Sequence, residues 1–130
     1  MAVLFTWSRA VEFSETDAAG MAHFSNFYRW MEATEHAFVE SRGVNFFDEQ
    51  FLWPRVNASC DFKHPVKRGD QISVDLVSVD LGKSSLRYRF EIRVGERICA
   101  LGEITTVCLS AAKREPVELL EKIRSALEPE

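Results

Sequence analysis

Hydrophobic and polar residues alternate with a period of two along most of the chain, the pattern of strands that bury one face. Val3, Phe5, Trp7, Val11 and Phe13 share one parity, interrupted only by Arg9, so residues 3–13 read as a first strand. Alternation returns at Val56, Ala58, Cys60 and Phe62 against Asn57, Ser59, Asp61 and Lys63, then stops at Pro65 and an Arg68-Gly69-Asp70 turn. Further runs occupy 71–81, 85–94 and 97–109. Leu86, Tyr88, Phe90, Ile92 and Val94, set against Arg87, Arg89, Glu91 and Arg93, make the clearest half-buried strand, and Gly82 and Gly95-Glu96 supply hairpin turns.

Between the first two strands the period changes. Phe27, Met31, Thr34 and Phe38 step by four, three and four, while Trp30 and Ala37 widen the stripe. Residues 26–41 therefore read as a helix of about four turns at ~3.6 residues per turn, with Arg29, Glu32, His36 and Glu40 on its other side. Ser25 or Asn26 can cap its first amides, and Gly43 can stop its C-terminus. Pro116 opens a last amphipathic segment with Leu119, Leu120, Ile123 and Leu127 on one face. The order of strand, long helix, four strands and small C-terminal helix predicts an α+β fold with an antiparallel sheet and one principal helix. Such a sheet leaves edge strands and a face uncovered, which points to self-association.

The 130 residues, 46% hydrophobic and 28% charged, fit one domain spanning 1–130, since ~150 residues per domain is usual. A formal charge of -4 and a pI near 5.4 give no overall basic field, so nucleic acid is not the expected partner. No run approaches the ~18 apolar residues that span a bilayer, and MAVLFTWSRAVEF lacks the basic start and unbroken apolar stretch of a signal peptide. A soluble, cytoplasmic protein with no membrane partner is expected. Cys60, Cys99 and Cys108 are odd in number and have neither Cys-x-x-Cys spacing nor a nearby His pair. They read as small core residues, not as a disulfide framework or a zinc site, and no metal is expected.

Candidate chemistry concentrates in ETDAAGMAHFSNF, residues 15–27, where Asp17 stands six residues before His23 in a strand-to-helix loop. Gly20 permits positive φ or close backbone approach, and the helix start near Phe24 to Asn26 offers unpaired amides with partial positive charge. A carboxylate beside such amides suits acyl transfer: the amides polarise a carbonyl, and the carboxylate attacks it or activates water. A single Asp in such a loop is more often a turn-former or cap, and local chemistry leaves both readings open.

The run Phe13-x-Glu15-Thr16-Asp17-x-x-Gly20-x-x-His23-Phe24-x-Asn26-Phe27-x-Arg29-Trp30-Met31-Glu32 resembles the 4-hydroxybenzoyl-CoA thioesterase family of the hotdog superfamily. Phe62-Lys63-His64-Pro65-Val66-x-x-Gly69-Asp70 is similar to that family's second signature. The resemblance implies a hotdog fold, an antiparallel sheet wrapped around one long central helix, and hydrolysis of an acyl-CoA thioester. By position it makes Asp17 the catalytic carboxylate, as nucleophile or general base, the Phe24 backbone amide the oxyanion donor, and Gly20 the enabler of the tight loop. His23 is implied either to orient the carboxylate or water, or to make a structural hydrogen bond. Asn26 is chiefly a helix cap, with a substrate contact as the alternative.

Coenzyme A enters as part of the substrate, so no separate cofactor is implied. Its phosphates need basic neighbours, for which Lys63, Lys67 and Arg68 form one group and Lys83, Ser84, Arg87 and Arg89 another; a solvated strand face is the alternative for each. Glu32 and Glu35 are rival carboxylates, because another hotdog branch takes its acid from the central helix. That branch's His-Gly-Gly motif is missing here, so both read as solvated helix charges. Ten Phe and three Trp, among them Phe46, Phe47, Phe51 and Trp53, offer a mild preference for an aromatic acyl group, against a default role in the core. Hotdog relatives form homodimers, often paired into homotetramers, whose sites use residues of two subunits. The alternatives are a hotdog hydratase or dehydratase, whose Asn-Pro signature is absent between Asp17 and His23, and a non-catalytic acyl-CoA binding module.

Overall fold

The computed structural model describes residues 2–129. In chain order these form β1 (Phe5–Ala10), a 3-10 turn (Phe13–Glu15), α1 (Ser25–Ser41), β2 (Phe51–Leu52), β3 (Arg55–Phe62), β4 (Gln71–Leu81), β5 (Ser85–Val94), β6 (Arg97–Val107), β7 (Leu109–Ser110) and α2 (Glu121–Leu127). Five strands make one antiparallel sheet in the order β1-β4-β5-β6-β3, and β2 pairs with β7. The sheet lies on α1, whose Phe27, Trp30, Met31, Phe38 and Val39 join the core. This is the expected α+β arrangement of a sheet on one long helix.

Central β5 buries Leu86, Tyr88, Phe90 and Ile92 as the alternation predicts. Leu86, Phe90 and Ile92 each contribute ~1.5–3 kcal/mol of transfer free energy on leaving water. In β4 a bulge between Leu76 and Ser78 shifts the parity, so Ile72, Val74 and Leu76 are followed inward by Val79. Met31 packs so close over Gly102 of β6 that a Cβ there would collide with its sulfur. Gly43 ends α1 with a φ of 75°, and its amide bonds the Glu40 carbonyl.

Several boundaries differ from the sequence reading. The first strand stops at Ala10, and Phe13 is 74% exposed, because the Glu12 amide donates to the Glu15 carboxylate and bends the chain into the 3-10 turn. The last long strand ends at Val107, where the Cys108 amide turns to the Ser84 carbonyl. Pro116 opens no helix: it bridges Leu109 in extended form, α2 begins at Glu121, and Leu120 is partly exposed at its edge. Val56 and Phe62 share the apolar parity of β3 yet are 59% and 48% exposed, since β3 is the sheet's edge and α1 meets it only at the ends, through Glu35 on Arg55 and Phe27 against one side of Phe62. Cys99 and Cys108 are buried as read, whereas Cys60 is only half-buried; desolvation first, then Asp61, pushes its thiol up to about 11. Among the described residues no helix is long and apolar enough to cross a membrane.

Asp75, buried on β4, accepts hydrogen bonds from Thr6 Oγ1 at 2.7 Å and Arg93 Nε at 2.8 Å. Desolvation alone would raise its pKa, but the bonds from Arg93 and Thr6 outweigh it and hold the carboxyl below its ordinary value. A depressed folded pKa stabilises above the unfolded value of ~3.9, and that stability is lost as pH falls through the folded pKa. Arg93→Ala should therefore move the acid-unfolding midpoint, followed by circular dichroism, to higher pH. Because Arg93 is partly solvated, the loss near pH 7 should be only ~1 kcal/mol. An unchanged acid midpoint would remove Asp75 from this role.

Candidate active site

The chain leaves the 3-10 turn at Glu15 and returns at His23 as a small hairpin. The His23 amide donates to the Glu15 carbonyl at 2.8 Å, Thr16 bridges Ala22, and the Asp17 amide donates to the Met21 carbonyl at 2.8 Å. Gly20 closes the tip with a φ of 80°, a backbone region L side chains rarely adopt. The returning limb pairs with the segment after β3: the Ala22 amide bonds the Val66 carbonyl at 2.7 Å, and the Arg68 amide bonds the Gly20 carbonyl at 3.2 Å. The two sequence signatures are thus joined in space.

Asp17 sits exposed at this tip. Its Oδ1 accepts the amides of Ala19 at 2.9 Å and Met21 at 3.1 Å, while Oδ2 has no protein donor among the described residues. The turn-forming reading accounts for one oxygen and leaves the other available. Asp17 lines an open groove with Phe13, Gly20, Lys67 and Arg68, and the Arg68 guanidinium lies 5.6 Å from the centre of the Phe13 ring.

Phe24 immediately precedes α1. The neighbouring amides of His23, Ser25, Asn26 and Phe27 all find acceptors, but the Phe24 amide has none among the described residues. Its exposed ring lines a second groove with Phe27, Phe62, Lys63 and His64. His23 stacks on that ring with centroids 4.7 Å apart. Its Nδ1 lies 2.8 Å from Ser25 Oγ and accepts the Ser25 amide, which puts the proton of the neutral ring on Nε2.

Asn26 does not cap the helix. It is buried, and its Nδ2 donates to the carbonyls of Glu15 at 2.8 Å and His23 at 3.2 Å, satisfying the hairpin's base from inside. Ser25 gives its hydroxyl to the His23 ring, so no side chain caps α1. Lys63, Lys67 and Arg68 flank the two grooves. Lys83 and Ser84 lie in the turn past the opposite end of β4, roughly 34 Å away by ~3.4 Å rise per residue, and Arg87 lies on β5 opposite Asp80 near that end. Arg87 pairs there with Asp80 at 3.1 Å, and Arg89 with Glu103 at 3.2 Å. One chain therefore does not bring the two basic groups together.

Glu35 is a correction to the reading of solvated helix charges. Glu32 is exposed, but Glu35 is fully buried and accepts Arg55 Nη1 at 2.7 Å, while Arg55 Nη2 also reaches Glu32 at 3.0 Å. Burial first and the Glu35 charge second push the phenol of Tyr88 well above its ordinary pKa. The aromatic set also divides: Phe51 and Trp53 line a cavity with Arg42, Val44 and Ile123 near the C-terminal end of α1, and Phe47 is 80% exposed. Neither Arg9, which broke the apolar parity of the first strand, nor Glu15, which stands in the first signature, was given a role from the sequence. An inward arginine requires an acid, and Arg9 finds the buried Glu15 with one Nη and the exposed Glu12, at 3.1 Å, with the other.

Residues 11–127 match the family model of the thioesterase-like superfamily. The chain belongs to that superfamily. A 1,4-dihydroxy-2-naphthoyl-CoA hydrolase of Nostoc punctiforme is 30% identical over 128 residues, covering 95% of this chain and 86% of that protein. The crystal structure of a 1,4-dihydroxy-2-naphthoyl-CoA thioesterase from Synechocystis matches with a TM-score of 0.88 at 25% identity, covering 95% and 94% of the two chains. A gentisyl-coenzyme A thioesterase matches with a TM-score of 0.84 at 25% identity, covering 94% and 98%. The fold is the hotdog fold and the enzyme class is acyl-CoA thioesterase, as the two signatures implied.

In this thioesterase Arg55→Ala would strand the buried Glu35 carboxylate. It should lower unfolding stability in urea by ~2–3 kcal/mol, discounted for the partial exposure of Arg55. Glu32→Ala should cost less than ~1 kcal/mol. Equal losses in the two variants would contradict the buried pairing.

Proposed function

We propose that this thioesterase hydrolyses aromatic acyl-CoA substrates, with Asp17 as the essential carboxylate and the Phe24 amide as oxyanion donor. One observation carries the reading: among the described residues a carboxylate oxygen without a protein donor, on one short hairpin, and an amide without a protein acceptor, one residue past its end at a helix start, lie on the same loop. The Phe24 N–H donates to the thioester oxygen as negative charge develops on it, a contact whose loss typically costs ~10²-fold or more in rate. Asp17 either attacks the carbonyl carbon, expelling the coenzyme A thiolate and forming a mixed anhydride that water then cleaves to the free acid and Asp17, or takes a proton from the attacking water, whose adduct collapses to the acid with loss of the thiolate. His23 carries a proton or orients the reacting groups through Nε2. No cofactor is needed, since coenzyme A is part of the substrate.

An aromatic acyl group is supported by the acyl groups of the relatives, dihydroxynaphthoyl and gentisyl, both hydroxylated aromatics. Phe24, Phe27 and Phe62 offer a groove of matching chemistry. Lys63, Lys67 and Arg68 are assigned to the coenzyme phosphates. Lys83, Ser84 and Arg87, at the far end of β4, serve the site of a neighbouring copy in a homodimer or homotetramer. The uncovered β3 edge with exposed Val56 and Phe62 supports such an assembly. The three free cysteines favour a reducing cytoplasm, and neither nucleic acid nor membrane is assigned as a partner.

The test is release of free thiol from benzoyl-, hydroxynaphthoyl- and short aliphatic acyl-CoAs. The aromatic substrates should give the higher kcat/KM. Asp17→Asn keeps an oxygen for the Ala19 and Met21 amides, so the fold should persist while kcat falls by ~10³-fold or more. His23→Phe should cost less. Equal turnover by wild type and Asp17→Asn would sink the assignment.

A further inference from the structure

Both proposed reaction groups hang from Glu15. It is 9% exposed, and a carboxylate so placed is costly unless its oxygens are met by donors. Oε1 accepts the Glu12 amide at 2.9 Å; Oε2 accepts Trp30 Nε1 at 2.8 Å and the Arg9 guanidinium. The Glu15 carbonyl accepts the His23 amide and Asn26 Nδ2, both at 2.8 Å. These donors come from β1, the 3-10 turn, the returning limb of the hairpin and the first two turns of α1. Asp17 lies two residues along one limb, and Phe24 lies one residue beyond His23 on the other.

We propose that the Glu15 carboxylate is a positioning residue for thioester hydrolysis, fixing Asp17 relative to the Phe24 amide by locking the hairpin base to Trp30 and Arg9. This rests on the assignment of Asp17 and Phe24 above. The tip is exposed; apart from its own turn bonds it is held by the Glu15 base on one side and by the Val66 to Arg68 segment, through Gly20 and Ala22, on the other, so loss of the base leaves it a single anchor. A misplacement of ~1 Å can cost ~10²-fold in rate. Three donors, one of them cationic, converge on two oxygens. Glutamine can meet the Trp30 and Arg9 donors with its single oxygen, but it then turns its own NH₂ toward the Glu12 amide. An apolar pair at positions 9 and 15 would hold a core as well as a buried ion pair does, so the charge answers a need for geometry rather than for bulk stability.

The experiment compares wild type, Glu15→Ala, Glu15→Gln and Asp17→Asn in hydroxynaphthoyl-CoA hydrolysis, with amide hydrogen exchange followed by NMR. Glu15→Ala should lower kcat by ~10²-fold with KM within about 3-fold of wild type. Glu15→Gln should recover part of that loss but not all of it, because its NH₂ faces the Glu12 amide. Exchange of the Met21 and His23 amides should speed up by ~10-fold or more in Glu15→Ala, while that of Phe90 in β5 stays as in wild type. Should Glu15→Ala fail to fold, Glu15→Gln decides: lower kcat at constant KM with faster hairpin exchange supports the role, and wild-type kcat and exchange overturn it. A Glu15→Ala protein with wild-type kcat, or with losses in kcat and KM that Glu15→Gln does not relieve, also overturns it. Wild-type activity in Asp17→Asn would instead remove the assignment of the reaction groups, and hairpin exchange would still report whether Glu15 sets the loop.

Discussion

A carboxylate held out of water persists only where donors are carried to it, and at Glu15 that demand organises the N-terminal third of the molecule. Arg9 turns inward from a strand whose other inward residues are Phe5 and Trp7, against the apolar parity, because Glu15 is there to receive it. Trp30 aligns its indole N–H with the same oxygen and fixes the second turn of α1 against the 3-10 turn. The hairpin of Thr16 to Ala22 then projects from a base that cannot drift independently of the helix. Through Met21 and Ala22 it also holds the segment at Val66 to Arg68, bringing the basic side chains alongside.

Environment divides the labour among the carboxylates of this region. Glu15 and Glu35 are enclosed, and their oxygens are given to Arg9, Trp30 and Arg55. Asp17 is open to solvent, with one oxygen bound to its own turn and the other without a protein donor among the described residues. Of these acids, Asp17 is the one whose surroundings leave it free to meet a substrate. The Phe24 amide is its counterpart, a donor left over where a helix begins without a side-chain cap. In the proposed reaction a thioester carbonyl meets both.

Much of this was legible in the sequence, and the misses share a cause. Period-two alternation located β4, β5 and β6, and the 3.6 period located α1, because those patterns follow from backbone geometry alone. Periodicity does not say which side of a strand another element will cover. Val56 and Phe62 were read as buried and lie open at the β3 edge, whereas Glu35 was read as solvated and lies under Arg55. Asn26 had the chemistry of a cap, but the carbonyls of Glu15 and His23, brought near by the hairpin, were the nearer claim on its amide. The signature residues marked the Thr16 to Ala22 loop as the candidate site; the residues that hold it needed the fold.

The most direct measurement is a crystal structure with a non-hydrolysable aromatic acyl-CoA analogue that keeps the acyl carbonyl. The carbonyl oxygen should accept the Phe24 amide at about 3 Å. Asp17 should lie ~3–3.5 Å from the carbonyl carbon, or one water away from it. An analogue bound with its carbonyl outside the reach of both groups would contradict the account.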